Sequence, residues 1–242
     1  MKSFPKIVFS DFDGTLTEQG RSSPVFFDVL DTIKKNSSEL VIVTGRPLSW
    51  AHFLLTHFEL NCVITEGGGM MSLRTKGENF VDISLIDDNE INHLQSVTRD
   101  LLQTFDGLKL SEDSICRNTD RAIDLGFLNT YGRDKEIEEF LKDKGINFSR
   151  SNVHLNYWAG VVSKKLAIDQ YIKKKNLDQS ECIFFGDSLN DQSAFEYFDQ
   201  SIGVSNIQSV ENDLTHLPKI ILKGNDKKEI LGVLHYLKSI ST

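Results

Sequence analysis

Three short apolar runs, each followed by a polar turn, constrain the fold of this chain more than any other feature. They are KIVFS at 6–10, LVIVT at 40–44 and CVIT at 62–65. Runs of this length without alternation suit strands buried on both faces. Pro24 opens a helical pattern that reaches about Lys35, and Pro47 precedes another at 48–58. This alternation predicts an α/β fold, a Rossmann-like parallel-sheet core with helices on both faces. After Glu66-Gly67-Gly68-Gly69 the pattern changes. Residues 80–84 alternate like a half-exposed strand, and 87–105 read as a helix. Strands are predicted near 108–115 and 121–128, a charged helix at 133–144 and a strand near 146–150. The first pattern resumes at Ser163 with a helix to 176, the apolar strand CIFF at 182–185 and a helix at 191–198. Short strands near 201–204 and 219–222 and a helix at 226–239 complete it. The expected organisation is a core of residues 1–74 and 161–242, interrupted by an α+β insert at 75–160 of small domain size.

Composition removes several function classes. The formal net charge of −8 argues against a general nucleic-acid surface, which needs clustered Lys and Arg. The one basic cluster, Lys173-Lys174-Lys175, falls at a predicted helix end, where cations favour the dipole. No apolar run approaches a membrane span, and no export signal is read in the N-terminal residues, so a cytoplasmic location is expected. Cys62, Cys116 and Cys182 match neither a disulfide framework nor a zinc site and are expected as buried thiols.

In a parallel sheet, ligands bind beyond the carboxyl ends of the strands. Asp11 and Asp13 follow the first strand there, Thr44 and Gly45 the second, and Asp187 and Asp191 the strand at 182–185. Lys164 begins the helix after the insert. Each alone is an ordinary turn or cap; together, in order, they fit phosphate-ester hydrolysis. Asp11 can attack phosphorus and form an acyl phosphate. Asp13, two residues on, can protonate the leaving alkoxide and later deprotonate water. Carboxylates repel a phosphate dianion, so a divalent cation is expected, and an oxygen-only ligand set suits Mg²⁺. Asp11, Asp187 and the Asp13 backbone carbonyl are the expected ligands, with Asp191 acting through water or by orienting Lys164. The Thr44 hydroxyl, the Gly45 amide and Lys164 would hold the phosphate.

Asp11-Phe12-Asp13-Gly14-Thr15-Leu16, Thr44-Gly45-Arg46, Lys164 and Gly186-Asp187-Ser188-Leu189-Asn190-Asp191 resemble the four motifs of the haloacid dehalogenase superfamily. The insert position resembles the class with a large α+β cap after the third core strand, which includes Cof-type sugar phosphatases and sucrose-phosphate and trehalose-phosphate phosphatases. The resemblance implies a Mg²⁺-dependent phosphatase acting through an aspartyl phosphate. It implies Asp11 as nucleophile, Asp13 as acid/base, Mg²⁺ at Asp11, Asp13 and Asp187, and phosphate contacts at Thr44, Gly45, Lys164 and Asn190. Two positions depart from it: Glu66-Gly67-Gly68 stands where many relatives have Asn-Gly, and Lys165 where relatives often have Gly, which leaves Lys165 open as the phosphate lysine.

The insert would choose the substrate, expected to be a small phosphorylated metabolite, most simply a sugar phosphate. Arg117, Arg121, His154 and Asn156 are its candidate contacts, with Tyr157 and Trp158 beside them; Trp158 fits packing at the hinge as well as stacking on a sugar. Arg46 is a candidate partner for a core carboxylate. A phosphomutase using the same aspartyl phosphate and a slow binding or regulatory module remain alternatives. The sequence leaves the oligomeric state open.

Overall fold

The computed structural model describes residues 4–77, 79–151 and 153–241. The apolar runs form β1 (Ile7–Ser10), β2 (Glu39–Val43) and β3 (Cys62–Thr65). Helices α1 (Val25–Lys35) and α2 (Leu48–His57) connect them. β1 and β2 pair in parallel, as do β2 and β3. Successive side chains on each strand face opposite ways. Val8, Ile42 and Val63 pack on one face with α1 and α2, while Phe9, Val41 and Ile64 pack on the other. Burial on both faces is the physical reason these runs do not alternate.

The next two strands change the expected boundary. β4 (Met70–Arg74) turns back antiparallel on β3, and β5 (Phe80–Ser84) pairs antiparallel with β4. Residues 80–84, assigned from the sequence to the insert, are therefore the edge of the large sheet. Their alternation is that of an edge strand with one covered face, which sequence cannot distinguish from a strand of a separate small unit.

A second unit follows. It comprises α3 (Asp88–Thr104), β6 (Asp120–Asp124), α4 (Leu125–Tyr131), α5 (Asp134–Asp143), β7 (Asn147–Arg150) and β8 (His154–Trp158). Its three strands form an antiparallel sheet in the order β6-β8-β7. Leu94, Leu101, Ile123, Leu141 and Tyr157 belong to its own core. Tyr157 is thus a core residue, its hydroxyl 3.2 Å from Thr98 Oγ1. Two expected strands are different here. Residues 112–116 form a 3₁₀ turn, because Ser111 Oγ donates to Asp113 and Ser114 N–H donates to the Ser111 carbonyl. Residues 125–131 form a helix, because the Asp124 carboxylate caps it through the Phe127 N–H and Gly132 ends it in the left-handed conformation. The same turn exposes Cys116, contrary to expectation, while Cys62 and Cys182 are buried.

The chain returns to the core as α6 (Lys164–Lys174), capped by Ser163 Oγ. β9 (Cys182–Gly186), α7 (Gln192–Tyr197), β10 (Ser201–Gly203), β11 (Ile220–Ile221) and α8 (Glu229–Ile240) complete it. The eight-stranded sheet runs β11-β10-β9-β1-β2-β3-β4-β5. Because β9 lies beside β1, and β2 on its other side, the carboxyl ends of three strands meet at one edge. Among the described residues, no helix is long and apolar enough to cross a membrane.

Candidate active site

Asp11 is the first residue beyond β1, and its N–H donates to the Phe185 carbonyl on β9. Its side chain is buried. Lys164, the first residue of α6, reaches it with Nζ–Oδ1 at 2.5 Å and also reaches Asp191 Oδ1 at 2.7 Å. Lys165 instead points outward to Glu196 at 3.2 Å, so Lys164 is the lysine that faces the carboxylates. The second oxygen of Asp191 accepts the Asp187 and Ser188 N–H groups. Asp191 is therefore saturated by Lys164 and by the turn it closes.

Asp187 is held by two donors, Thr15 Oγ1 at 3.0 Å on Oδ1 and Asn206 Nδ2 at 2.8 Å on Oδ2. Asn206 Nδ2 also donates to the Gly14 carbonyl, and its Oδ1 accepts the Glu229 N–H at the start of α8. Nothing in the sequence singles out Asn206, which works through folded geometry alone. Gly14 has φ of +80°, and a Cβ there would collide with the Asp187 carboxylate.

One carboxylate oxygen from each of Asp11, Asp187 and Asp191 lies within 4.8 Å of the others. Lys164 is the one cation in contact with this cluster among the described residues. Burial pushes the Asp11 and Asp187 carboxyls above the usual carboxylate range; Asp191 adds to both and Asp11 to Asp187, against the pull of Lys164. Burial would lower Lys164, but Asp11 and Asp191 outweigh it and its pKa is raised. Three buried carboxylates against one ammonium leave an excess of negative charge. An all-oxygen site of that kind fits a hard divalent cation.

Asp13 is more open. Arg46 grips its carboxylate with two bonds, Nε–Oδ2 at 2.8 Å and Nη2–Oδ1 at 2.6 Å, and lies 4.6 Å over the Trp50 ring. Thr44 follows β2, and its Oγ1 accepts the Arg46 N–H at 3.1 Å. Asn190 Oδ1 accepts the Ser188 hydroxyl. Asp11, Asp13, Thr44, Gly45, Lys164 and Asn190 all line one cavity between the core and the inserted unit.

The inserted unit contributes Asp120, Ser149, Ser151, His154, Asn156 and Trp158 to that cavity. Asn156 Nδ2 donates to Asp120 Oδ2 at 3.0 Å. Burial pushes Asp120 up to about 7 against the pull of Arg117. Burial also lowers His154, which favours its neutral form. Arg117 and Arg121, expected as substrate contacts, do not line the cavity. The Arg117 side chain is wholly buried and grips Asp113 and Asp120 at 2.9 and 2.8 Å. A desolvated guanidinium needs such partners, and two acids at i−4 and i+3 supply them. Arg121 Nη1 donates to the Arg117 and Asp120 carbonyls.

The fold and the site together define an α/β protein with a buried acidic cluster beyond the strand ends, and comparison with known proteins makes this specific. Residues 8–106 and 98–228 match the haloacid dehalogenase-like hydrolase family model, so the chain belongs to that family. It is 26% identical to a protein of Streptococcus pyogenes serotype M6 that carries the name phosphatase, over 96% of this chain and 97% of the relative. It is 25% identical to the phosphoglycolate phosphatase of Sulfurisphaera tokodaii, over 97% of this chain and 93% of the relative. A crystal structure from Thermoplasma acidophilum shares the fold with a TM-score of 0.72 at 15% identity, covering 97% of this chain and 99% of that one. The protein is a phosphoric monoester hydrolase.

Proposed function

We propose that this protein hydrolyses the phosphate ester of a small polyhydroxylated metabolite, most simply a sugar phosphate, through an aspartyl phosphate on Asp11. The observation that carries the mechanism is the convergence of Asp11, Lys164, Asp187 and Asp191, from three separate elements, into one buried cluster. An Asp11 oxygen attacks phosphorus, and the bond from phosphorus to the leaving oxygen breaks. The leaving alkoxide takes its proton from Asp13. Asp13, now ionised, removes a proton from water, whose oxygen attacks the same phosphorus. The bond to Asp11 breaks, and inorganic phosphate leaves. Lys164 orients Asp11 and offers charge to a phosphate oxygen. The Thr44 hydroxyl and the Gly45 amide donate to the others, and Asn190 lies within the same cavity. Arg46 fixes Asp13 through its bidentate grip. Asp11, Asp187 and the Asp13 carbonyl would hold Mg²⁺, with Asp191 behind them steering Lys164. When bound, the ion offsets the charge of phosphate and carboxylates. Asp11→Asn should abolish phosphate release from p-nitrophenyl phosphate, and retained turnover would refute the assignment.

Charge supports this substrate class. A glycolate leaving group carries a carboxylate, which needs a cation in its pocket. Among the described cavity residues, the inserted unit offers no Lys or Arg, only an acid and neutral groups. Asp120, His154 and Asn156 suit a leaving group rich in hydroxyls, and the inserted unit would act as a cap over it. A panel of phosphorylated metabolites with Mg²⁺ tests this. Sugar phosphates should exceed phosphoglycolate in kcat/KM; the reverse order would overturn the substrate assignment while leaving the mechanism standing.

A further inference from the structure

Glu66 is the departure that the sequence left unexplained, and it sits at a junction of three segments. Its carboxylate is buried and accepts the Leu48 N–H from the start of α2. It also accepts the Asn118 N–H, the Thr119 N–H at 2.6 Å and the Thr119 hydroxyl at 2.7 Å, all from the inserted unit. Gly69 makes room for this approach, since a Cβ there would collide with Thr119 Oγ1. One residue earlier, Arg117 Nη1 crosses to the core and donates to the Gly45 carbonyl at 3.0 Å. The inserted unit thus holds the segment 45–48 directly at Gly45 and through Glu66 at Leu48.

The Gly45 carbonyl and the Arg46 N–H belong to one planar peptide group. Arg117 holds the carbonyl side of that plane. On the other side the N–H donates to Thr44 Oγ1 at 3.1 Å. A hydroxyl that accepts this bond keeps its own hydrogen for another acceptor. The Arg46 side chain leaves the same residue to grip Asp13. We propose that Arg117 and Glu66 are positioning residues. Through the Gly45–Arg46 peptide, the docked inserted unit aims the Thr44 hydroxyl at phosphate and sets the Arg46 grip on Asp13. The unit then takes part in phosphoryl transfer for every ester, whatever its leaving group. This rests on the assignment of Thr44-Gly45 as the phosphate loop.

The test compares Arg117→Lys, Thr119→Val and Leu141→Ala with the wild type. A lysine keeps the charge but cannot reach Asp113, Asp120 and the Gly45 carbonyl together. Thr119→Val removes only the hydroxyl given to Glu66. Leu141→Ala weakens the inserted unit's own core, away from the junction. Three quantities are read: Tm, inhibition by inorganic phosphate with Mg²⁺, and amide exchange of residues 45–48. Arg117→Lys should raise Ki for phosphate by at least about tenfold. It should lower kcat on p-nitrophenyl phosphate and on sugar phosphates by one common factor and speed exchange at 45–48. Thr119→Val should do the same to a smaller degree, which keeps the proposal testable if the lysine variant does not fold. Leu141→Ala should lower Tm and leave Ki and exchange at 45–48 unchanged. An unchanged Ki in both junction variants, or an equal rise in Leu141→Ala, would overturn the proposal. Exchange is read without turnover, so a chain inactive on every phosphate ester would remove the proposed function yet still decide whether the junction holds the loop.

Discussion

Two clusters of acids, one in the core and one at the junction with the inserted unit, are built in opposite ways. In the core, Asp11, Asp187 and Asp191 share one cation, Lys164. At the junction with the inserted unit, Arg117 fills its donors with Asp113, Asp120 and the core Gly45 carbonyl, while Glu66 of the core is saturated by N–H and hydroxyl donors. Burying a charge without compensation is costly, so a fold keeps such an excess only where something else will supply the missing charge. On the mechanism proposed above, the cluster with excess charge carries the chemistry, and the saturated one is the joint that holds it in place.

That contrast can be broken at several points. The largest effect is expected at Asp11. Asp11→Asn should lower kcat by more than about a thousandfold, to near background, with an unchanged circular dichroism spectrum. Loss of the fold instead would make Asp11 structural. Metal removal comes next. EDTA should silence the enzyme and Mg²⁺ restore it; Mg²⁺ should also raise the wild-type Tm, by linkage, but not that of Asp187→Ala. A Tm indifferent to Mg²⁺ would mean that the acid excess is not a cation site.

Asp13→Asn should be smaller and selective. Alkyl phosphates need a proton on the leaving oxygen and should lose about a hundredfold or more in the first step, with aryl phosphates losing less. Equal first-step losses would count against Asp13 as proton donor. The inserted unit gives a stability test. Arg117→Ala leaves two acids without their partner in a buried site and should cost about 3 kcal/mol, read by denaturant unfolding. Arg133→Ala removes an exposed pair with Glu136 and a contact over the Phe105 ring, and should lower stability much less than Arg117→Ala.

The core was legible because its signals are local. An apolar run such as Val41–Val43 reports burial on both faces, and acids just beyond strand ends report where the acidic cluster forms. Even the Arg46 partnership was anticipated as a pair with a core carboxylate. The inserted unit was less legible because its decisive contacts join residues distant in sequence. The pattern at 80–84 has two structural explanations, and β5 is the edge of the large sheet. The residues at 112–116 and 125–131 overlap the expected strands, yet the turn closed by the Ser111 carbonyl and the side-chain cap of Asp124 make them helical segments. Arg117 and Arg121 look like anion contacts in sequence; Asp113 and Asp120 reveal the role of Arg117 only when the loop folds around it. Glu66 was visible as a departure, but its four donors lie 18 to 53 residues away.

Trapping the covalent step at Asp11 tests the proposed mechanism most directly. Asp13→Asn should slow hydrolysis of the intermediate, so a rapid quench with a ³²P-labelled substrate should find it accumulated. Tritiated borohydride reduces an acyl phosphate to an alcohol, releasing the phosphate and leaving tritium on the residue for peptide mapping. The account predicts label on the peptide containing Asp11, at Asp11 itself, and none in the variant that also carries Asp11→Asn. Label on another residue, or turnover with no covalent label at any time, would contradict it.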